Sequence, residues 1–395
     1  MDNLEIWLLL SAGVLFGPGI FAALLNIALW PRGIRNGNAA RYSVSILIPA
    51  RNEEQNLVKC VDSSMNQGAV VSEVLIYNDR STDGTQSVIE DLTMRYAGIV
   101  SQVPTKSVRD GWAGKTNACA RLSEHAQSKW MLFIDADTEL FPNAVDSLVT
   151  EAEYRKATFL SAWPKIEMQS YPERLLMPLL NFVVFSLFPA PIARWRWVER
   201  VMTFLRLGSA SLGLAHGACI LVDRETYSEI GGHNLVKDHL FEDTALAREW
   251  RKRGKNSQVI DGRRAISVRM YSNFDGIWNG FTKNYYPAFQ SAHSFALFQI
   301  YLAFAFLAFP VFILWAVISG LIAPVYLFLA IMSLAARLII SVEFGHPIST
   351  VPMHAIGVIF MLCLGFRSWW LYRFGSGVSW KGRLYKAEGM KRDDE

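Results

Sequence analysis

Short apolar runs alternate with helix-like patterns along the first third of the chain. The apolar runs, each of strand length, occupy residues 44–50, 74–77, 99–103 and a stretch that ends at Ile134. Between them, apolar positions recur with the spacing of a helix over about 10–15 residues. This alternation predicts an α/β domain with a mainly parallel sheet. Because ligands of such sheets bind beyond the carboxyl ends of the strands, the polar residues that follow the strands should meet in one crevice.

Two aspartates, Asp135 and Asp137, directly follow the last of these runs. Alternate residues of a strand point to the same side, so we expect both carboxylates to face one site. Paired carboxylate oxygens suit Mg2+ or Mn2+, particularly when the ion also holds phosphates. An acidic loop after a buried strand has the same pattern. The metal site is favoured because Asp79 follows an earlier strand and Lys115 opens a helix. Together with the aspartate pair, these two residues predict a site for a nucleoside diphosphate.

The amino end carries one long uncharged stretch, residues 6–30. It is long enough to cross a hydrocarbon core of roughly 30 Å. No basic residue precedes it, so we expect an uncleaved transmembrane anchor at residues 1–31 and not a signal peptide. Arg32, Arg35 and Arg41 follow the stretch. The positive-inside rule then predicts a multi-pass protein of the inner (plasma) membrane whose catalytic domain, residues 41–271, is cytoplasmic.

The carboxyl-terminal part is also apolar. We expect a linker at the membrane surface over residues 272–294, membrane segments within 295–372 and a basic tail over 373–395. Three candidate spans, at 295–319, 321–340 and 351–371, would leave the basic tail outside the cell. That outcome conflicts with the charge rule, so the number of crossings stays open.

A further apolar segment, residues 175–197, interrupts the expected catalytic domain. It contains several prolines and ends in Arg194, Trp195, Arg196 and Trp197. Basic and tryptophan residues at an apolar border are typical of a helix in the headgroup region, so we favour an interfacial helix over a span. Such a helix could lead a membrane lipid to the crevice, where the lipid would be the acceptor of a reaction.

Composition supports the membrane interpretation. Of the 395 residues, 51% are hydrophobic, which is too apolar for an ordinary soluble enzyme. The net charge of +4 gives no reason to expect nucleic acid as a partner. Basic residues near the membrane boundaries account for this charge, with anionic lipid as the expected counter-charge. The four cysteines have no paired spacing, so neither a zinc site nor a disulfide framework is indicated. The sequence does not indicate an oligomeric state.

Three motifs, in order and spacing, resemble those of the family 2 glycosyltransferases with the GT-A fold: I-P-A-R-N-E-E at 48–54, N-D-R-S-T-D-G-T at 78–85, and the Asp135–Asp137 pair. The resemblance covers about residues 43–271. It implies a mixed, mainly parallel sheet flanked by helices. Residues 111–115, 269–271, 281–284 and 380–385 are in addition similar to membrane enzymes that glycosylate carotenoids, with the hopene-associated glycosyltransferases as near relatives.

The resemblance also implies roles for single residues. It assigns Asp79 to nucleoside binding, Asp135 and Asp137 to the metal and the donor, and Asp243 to the catalytic base. Glu242 supports that base, although an acidic first turn is also ordinary helix chemistry. Two residues near the first strand, Pro49 and Glu53, are further candidates for donor binding.

Cations that could stabilise a departing diphosphate are harder to assign. Lys115 follows Gly114 at a helix amino end, where a phosphate could bind, although an exposed surface lysine has the same pattern. The likeness of residues 111–115 to the family favours the phosphate contact slightly. The Q-x-x-R-W motif of many processive family members is missing, so Arg269, Lys283, Lys381 and Arg383 are the available substitutes. A cation at the membrane surface explains each of these four equally well. Trp380 could stack on a sugar or anchor in the interface, and His216 is a weak candidate on the acceptor side.

The implied function is inverting, metal-dependent transfer of a sugar, with UDP-glucose as the expected donor, to a membrane-dissolved terpenoid such as a carotenoid. The intact Glu242–Asp243 pair favours a hydroxyl over a carboxylate as acceptor. A hopanoid or another lipid remains an alternative acceptor. A polysaccharide synthase and a non-catalytic nucleotide-sugar-binding membrane protein are alternative functions.

Overall fold

The computed structural model describes residues 3–32, 42–187, 201, 204, 213–289, 291–308, 311, 314–315, 318, 324–375, 377–381 and 383–385. The chain forms two compact units, which we call the sheet unit and the helical unit. The sheet unit comprises Pro31–Glu167 and Ile192–Met270, and the helical unit comprises Met1–Trp30, Met168–Pro191 and Tyr271–Glu395. The sheet unit overlaps the expected catalytic domain at 41–271, although residues 168–191 and residue 271 belong to the helical unit. That this domain is catalytic stays a prediction.

A seven-stranded sheet lies at the centre of the sheet unit, and labels follow chain order. Its strands, in spatial order, are β3 (Val100–Gln102), β2 (Val71–Asn78), β1 (Val44–Ala50), β4 (Trp130–Ile134), β8 (Cys219–Asp223), β6 (Phe159–Trp163) and β9 (Ser257–Asp261). All neighbouring pairs are parallel except those of β8, which runs antiparallel to β4 and to β6. The expected mixed, mainly parallel sheet is therefore confirmed. A smaller sheet contains β5 (Thr138–Leu140), β10 (Ile266–Val268) and β7 (Lys165–Ile166).

Helices cover both faces of the central sheet: α2 (Leu57–Met65), α3 (Thr85–Arg95), α4 (Gly114–Ser123), α5 (Ala144–Arg155), α8 (Arg224–Ile230) and α9 (Glu242–Lys252). Ile46 and Ile48 of β1 belong to one buried cluster, together with apolar residues of α2 and α5. Leu47, between them, belongs to the opposite cluster with residues of α4 and α9. A strand buried on both faces reads as a continuous apolar run, which explains the pattern in the sequence.

One expectation about the aspartates is wrong. We expected Asp135 and Asp137 to share one face of a strand, but β4 ends at Ile134. Both residues lie in the turn between β4 and β5, where the Thr138 N–H donates a hydrogen bond to the Asp135 carbonyl oxygen (3.0 Å). The alternation of side chains along a strand therefore does not determine where the two carboxylates point.

The helical unit contains α1 (Asn3–Leu29), α6 (Tyr171–Leu176), α7 (Pro178–Leu187), α10 (Phe274–Tyr285), α11 (Ala292–Ala303), α12 (Pro324–Phe344), α13 (His354–Arg373) and a hairpin of β11 (Val378–Trp380) and β12 (Arg383–Tyr385). α7 packs against α1 and α12, and Phe182 and Phe185 are fully buried. Asn26 Nδ2 of α1 donates to the Phe185 carbonyl oxygen (2.6 Å). The expected interfacial segment 175–197 is described only to residue 187, and its interfacial position stays a prediction.

Among the described residues, two helices are long and apolar enough to cross a membrane, by length and composition: Leu9–Leu29 and Ile348–Arg373. The first coincides with the expected anchor and the second with the expected span at 351–371. The expected span at 321–340 falls on α12. Only part of the expected span at 295–319 lies within the described residues. The number and direction of the crossings stay predictions.

Candidate active site

Lys115 lies between two acidic side chains. It is the second residue of α4, and its Nζ is 2.7 Å from Oδ1 of Asp135 and 2.9 Å from Oε1 of Glu242. Burial by itself would lower the pKa of Lys115, but the negative charges of Asp135 and Glu242 outweigh burial and raise that pKa well above its usual range. About a third of its side-chain surface (37%) is exposed, and we call the space around Lys115, Asp135 and Glu242 the crevice.

Asp243, the second residue of α9, is a carboxyl of this crevice with a strongly raised pKa. Burial, and next the negative charge of Glu242, raise its pKa from 3.8 to about 7, while the charge of Lys115 opposes the shift. Asp243 Oδ1 accepts a hydrogen bond from the Thr244 N–H (2.6 Å). A carboxyl group with this pKa can hold or release a proton near neutral pH.

Gly217 lies at the centre of these charged groups. A Cβ atom at this position would lie 3.1 Å from Nζ of Lys115, 3.2 Å from Oδ2 of Asp243 and 3.7 Å from Oδ2 of Asp135. The direction of β8 explains the placement. Because β8 is antiparallel to β4 and Cys219 pairs with Ile134, the residues that precede β8 lie beside those that follow β4.

His216 holds the turn that contains Gly217. Its ring is buried, packs edge-on against Trp163 and accepts a hydrogen bond at Nδ1 from the Ala218 N–H (3.2 Å). The His216 N–H donates to Ser161 Oγ (2.8 Å). Burial, and next the charge of Lys115, lower the pKa of His216 to about 3, so the ring is neutral near pH 7. These contacts give His216 a structural role.

The candidate donor-binding residues lie at the carboxyl ends of β1 and β2. Pro49 pairs with Tyr77 inside the sheet. Glu53, in the turn after β1, accepts a hydrogen bond from Asn56 Nδ2 (2.9 Å). Asp79 follows β2 and is buried, and its N–H donates to the Ala50 carbonyl oxygen (2.8 Å). β1 lies between β2 and β4, so these residues share one edge of the sheet with Asp135.

Asp83 of the second motif has a structural role at the start of α3. Its Oδ1 accepts hydrogen bonds from the N–H (3.1 Å) and the hydroxyl of Thr85, the first residue of α3. Its Oδ2 accepts from the Glu54 N–H (3.3 Å). The motif therefore joins two turns of the crevice edge and starts a helix.

The pKa of the Cys60 thiol shows which carboxylates lie near the aspartate pair. Burial raises the pKa of this thiol well above its usual range, and the charges of Asp137, Glu53 and Asp135, in that order, raise it further. All three carboxylates therefore lie within electrostatic range of one sulfur atom. Cys60 Sγ also donates to the Asp135 carbonyl oxygen (3.6 Å). Within the described ranges, no group of three or more His, Cys, Asp or Glu side chains has an arrangement that could hold a metal ion.

The remaining candidate cations belong to different parts of the chain. Arg269 directly follows β10 in the sheet unit. Lys381 lies in the turn of the β11–β12 hairpin with a positive φ of 45°. Arg383 begins β12, and its side chain lies outside the described atoms. Lys283 is in α10 of the helical unit. Their contact with a diphosphate stays a prediction.

Sequence reasoning missed two residues of the site. Gly217 carries no chemical signal in the sequence, because its role depends on how closely three charged side chains approach its Cα. Cys60 was noted only as a scattered thiol. The apolar pattern of α2 could have indicated that this thiol faces the sheet, since Leu57, Cys60, Val61 and Ser64 are its buried positions.

Comparisons with known proteins agree with this geometry. Residues 45–231 match the model of the family described as glycosyl transferase family 2. A curated relative, 4,4'-diaponeurosporenoate glycosyltransferase of Staphylococcus aureus, is 27% identical over 255 residues, which cover 62% of each chain. The chain thus spans about three fifths of the length of the curated relatives it matches.

Two solved structures are similar at lower identity. The mannosyltransferase PcManGT from Pyrobaculum calidifontis, solved with GDP-Man and Mn2+, is 13% identical with a TM-score of 0.47, covering 93% of this chain and 98% of that one. Glucosyl-3-phosphoglycerate synthase from Mycobacterium tuberculosis, solved with Mn2+, UDP and glucosyl-3-phosphoglycerate, is 19% identical with a TM-score of 0.37. That match covers 63% of this chain and 79% of the synthase.

The family match begins in β1 and ends directly after α8, so it includes the crevice residues Lys115, Asp135 and Gly217. The mixed sheet of the sheet unit agrees with the GT-A fold that the motifs implied. Residues 45–231 therefore form a domain that matches glycosyl transferase family 2, within a sheet unit that has the GT-A fold.

Proposed function

We propose that the protein transfers one sugar, glucose from UDP-glucose, to a lipid dissolved in the membrane. The observation that carries the proposal is the position of Asp243, a half-buried carboxyl group beside the Lys115 ion pairs, where its surroundings raise its pKa to about 7. Transfer to a hydroxyl group requires a base that accepts a proton as the glycosidic bond forms. A carboxylate with a pKa near neutral pH suits that task.

In this proposal, Asp243 removes the proton of the acceptor hydroxyl and Glu242 keeps the pKa of Asp243 high. A single base that acts through the acceptor implies one displacement, with inversion at the anomeric carbon. Lys115 supplies positive charge for the departing diphosphate, at the amino end of α4, where the helix dipole also favours an anion. Asp79 and Glu53 accept hydrogen bonds from the nucleoside.

The chemistry of the donor set fits Mg2+ or Mn2+. Asp135 balances the cationic Lys115, so the crevice already stabilises positive charge beside this carboxylate. Asp135 and Asp137 would hold the ion, with phosphate or water oxygens as the other ligands, which is a common arrangement for Mg2+. When bound, such an ion neutralises charge that develops on the leaving diphosphate.

A carotenoid is the first acceptor to test. The curated relative bears the name of a diaponeurosporenoate glycosyltransferase, and its similarity to this chain supports a related terpenoid acceptor. The two long apolar helices support attachment to the inner membrane, where such lipids dissolve. We propose a multi-pass protein whose sheet unit is on the cytoplasmic side. A hopanoid or another lipid is the alternative acceptor.

The experiment compares wild-type protein with Asp243→Asn. Purified, detergent-solubilised protein is incubated with Mn2+, labelled UDP-glucose and a total lipid extract, and label in the lipid phase is measured beside donor binding by calorimetry. We expect Asp243→Asn to lose transfer by about 100-fold or more while donor binding persists. Equal transfer by both proteins would exclude Asp243 as the base, and donor binding without transfer by the wild type would favour a non-catalytic binding protein.

A further inference from the structure

Most buried polar side chains of the helical unit have hydrogen-bond partners. Asn181 Nδ2, for example, lies 3.1 Å from Nε2 of His346, and Ser368 Oγ donates to the Thr282 carbonyl oxygen (2.7 Å). This pattern is expected, because an unpaired polar group in an apolar interior is costly. Exceptions to it therefore indicate a ligand, a water molecule or a functional role.

Three side chains of α12 and α13 are such exceptions: Arg337, Ser341 and His354. Only 1% of Arg337 and 3% of His354 is exposed, and Ser341 is fully buried. Within the part of the chain that the structure describes, Nε and Nη1 of Arg337, Oγ of Ser341 and both ring nitrogens of His354 have no hydrogen-bond partner.

Arg337 lies near each of the other two side chains. Arg337 and Ser341 are four residues apart on α12, so they share one face of the helix. The charge of Arg337 acts on the imidazole of His354, the first residue of α13. Phe182 and Phe306 pack against that imidazole, with ring centroids 4.6 Å and 5.2 Å away. A buried guanidinium, a hydroxyl and an imidazole thus form one polar patch with aromatic neighbours.

The chemistry of the patch indicates an anion. A guanidinium group has five donors and no acceptor, and it remains charged in proteins. The Ser341 hydroxyl and a ring nitrogen of His354 add further donors. A carboxylate or phosphate group would satisfy these donors and neutralise Arg337, and guanidinium groups bind both through paired hydrogen bonds.

The surface of α12 indicates that the anion is attached to a hydrocarbon chain. Phe328, Ile331, Leu338 and Val342 form an exposed apolar stripe with helical spacing, and Leu338 and Val342 directly follow Arg337 and Ser341 in sequence. A hydrocarbon chain could lie along this stripe, whereas a free anion would gain nothing from it.

We propose that Arg337, Ser341 and His354 bind the carboxylate or phosphate group of an anionic membrane lipid. The proposal rests on the proposed membrane location but not on the transfer reaction, so failure of either can be recognised separately. An ionisable side chain inside a membrane segment marks a functional site more often than a neutral one does.

The experiment measures thermal unfolding of the full-length protein after extensive detergent washing. Phosphatidylglycerol and oleate are the anionic lipid probes, phosphatidylcholine is the neutral lipid and inorganic phosphate is the free anion. We expect phosphatidylglycerol or oleate to raise the Tm of the wild-type protein, with no comparable rise from phosphatidylcholine or phosphate. Arg337→Met should weaken the apparent affinity for the active lipid by about tenfold or more, because charge-assisted hydrogen bonds are lost.

Arg367→Met is the matched control, because Arg367 is an exposed cation on α13 in the same unit. We expect this variant to respond to lipid as the wild type does. An equal loss in both variants would indicate surface attraction and overturn the proposal, as would an equal rise with inorganic phosphate or a full lipid response in Arg337→Met. If Arg337→Met does not fold, the wild-type titration still decides, since the absence of any anionic-lipid response there excludes the site.

Discussion

Gly217→Ala tests whether the charged groups of the crevice act as one unit. The backbone at Gly217 is outside the left-handed region, so alanine is accepted without conformational strain. The new methyl group would lie 3.1 Å from Nζ of Lys115 and 3.2 Å from Oδ2 of Asp243. Both distances are shorter than an ordinary van der Waals contact, so at least one of the two charged groups must move by a few tenths of an ångström.

The displacement is small, but it affects the proposed base and the proposed phosphate-binding lysine together. A misplacement of about 1 Å costs roughly 100-fold in rate, so we expect a loss of about tenfold for the smaller shift. The methyl group also removes water from Asp243, which should raise its pKa above the present value of about 7. The rate at neutral pH should therefore fall further, with partial recovery at higher pH.

The assay is the initial rate of sugar transfer to lipid between pH 6 and pH 9, with the Tm measured in parallel. Gly13→Ala is the control, since a Cβ atom at Gly13 in α1 would meet no atom within 4 Å. We expect unchanged transfer for Gly13→Ala and an unchanged Tm for both variants. A wild-type rate in Gly217→Ala would refute the reasoning, because the crevice would then accept a methyl group among its charges without effect.

Other variants separate the proposed roles. Glu242→Gln removes a negative charge that raises the pKa of Asp243, so the rise of kcat with pH should move to lower pH, measured as a kcat–pH profile. Lys115→Met removes the opposing positive charge, so in the same measurement the rise should move to higher pH. Shifts in the reverse directions would exclude Asp243 as the titrating base. Asp137→Asn should weaken Mn2+-dependent UDP-glucose binding by about tenfold or more in calorimetry, and unchanged binding would count against a metal role.

The sequence was sufficient to predict the parallel strands β1, β2 and β4 and the edge of the sheet where the site lies. Strands β1, β2 and β4 occur where apolar runs predicted them, and polar residues follow each. This works because strands that are buried on both faces must be apolar throughout, whereas the crevice at their carboxyl ends requires polar groups.

The direction of β8 could not be predicted, and the site depends on it. An apolar run of five residues carries no information about whether a strand is parallel or antiparallel. Its antiparallel pairing with β4 is what brings Gly217 beside Asp135. The contact between Lys115 and Glu242 is likewise a result of tertiary packing, since the two residues are far apart in the chain.

The residue at which β4 ends could not be predicted from the apolar pattern either. Two aspartates one residue apart suggested a shared strand face, but the strand stops at Ile134 and a turn positions both carboxylates. Strand ends are uncertain by a few residues from sequence alone, and a shift of one residue changes the direction of every side chain.

The mass of the reaction product is the most direct test of the proposed single-sugar transfer to a membrane lipid. Detergent-solubilised protein, Mn2+, UDP-glucose and a total pigment-and-lipid extract are incubated together, and the lipid phase is analysed by mass spectrometry. The account predicts a lipid, first of all a carotenoid, that has gained the mass of one hexose residue. A ladder of repeated hexose additions would contradict it and indicate a polysaccharide synthase.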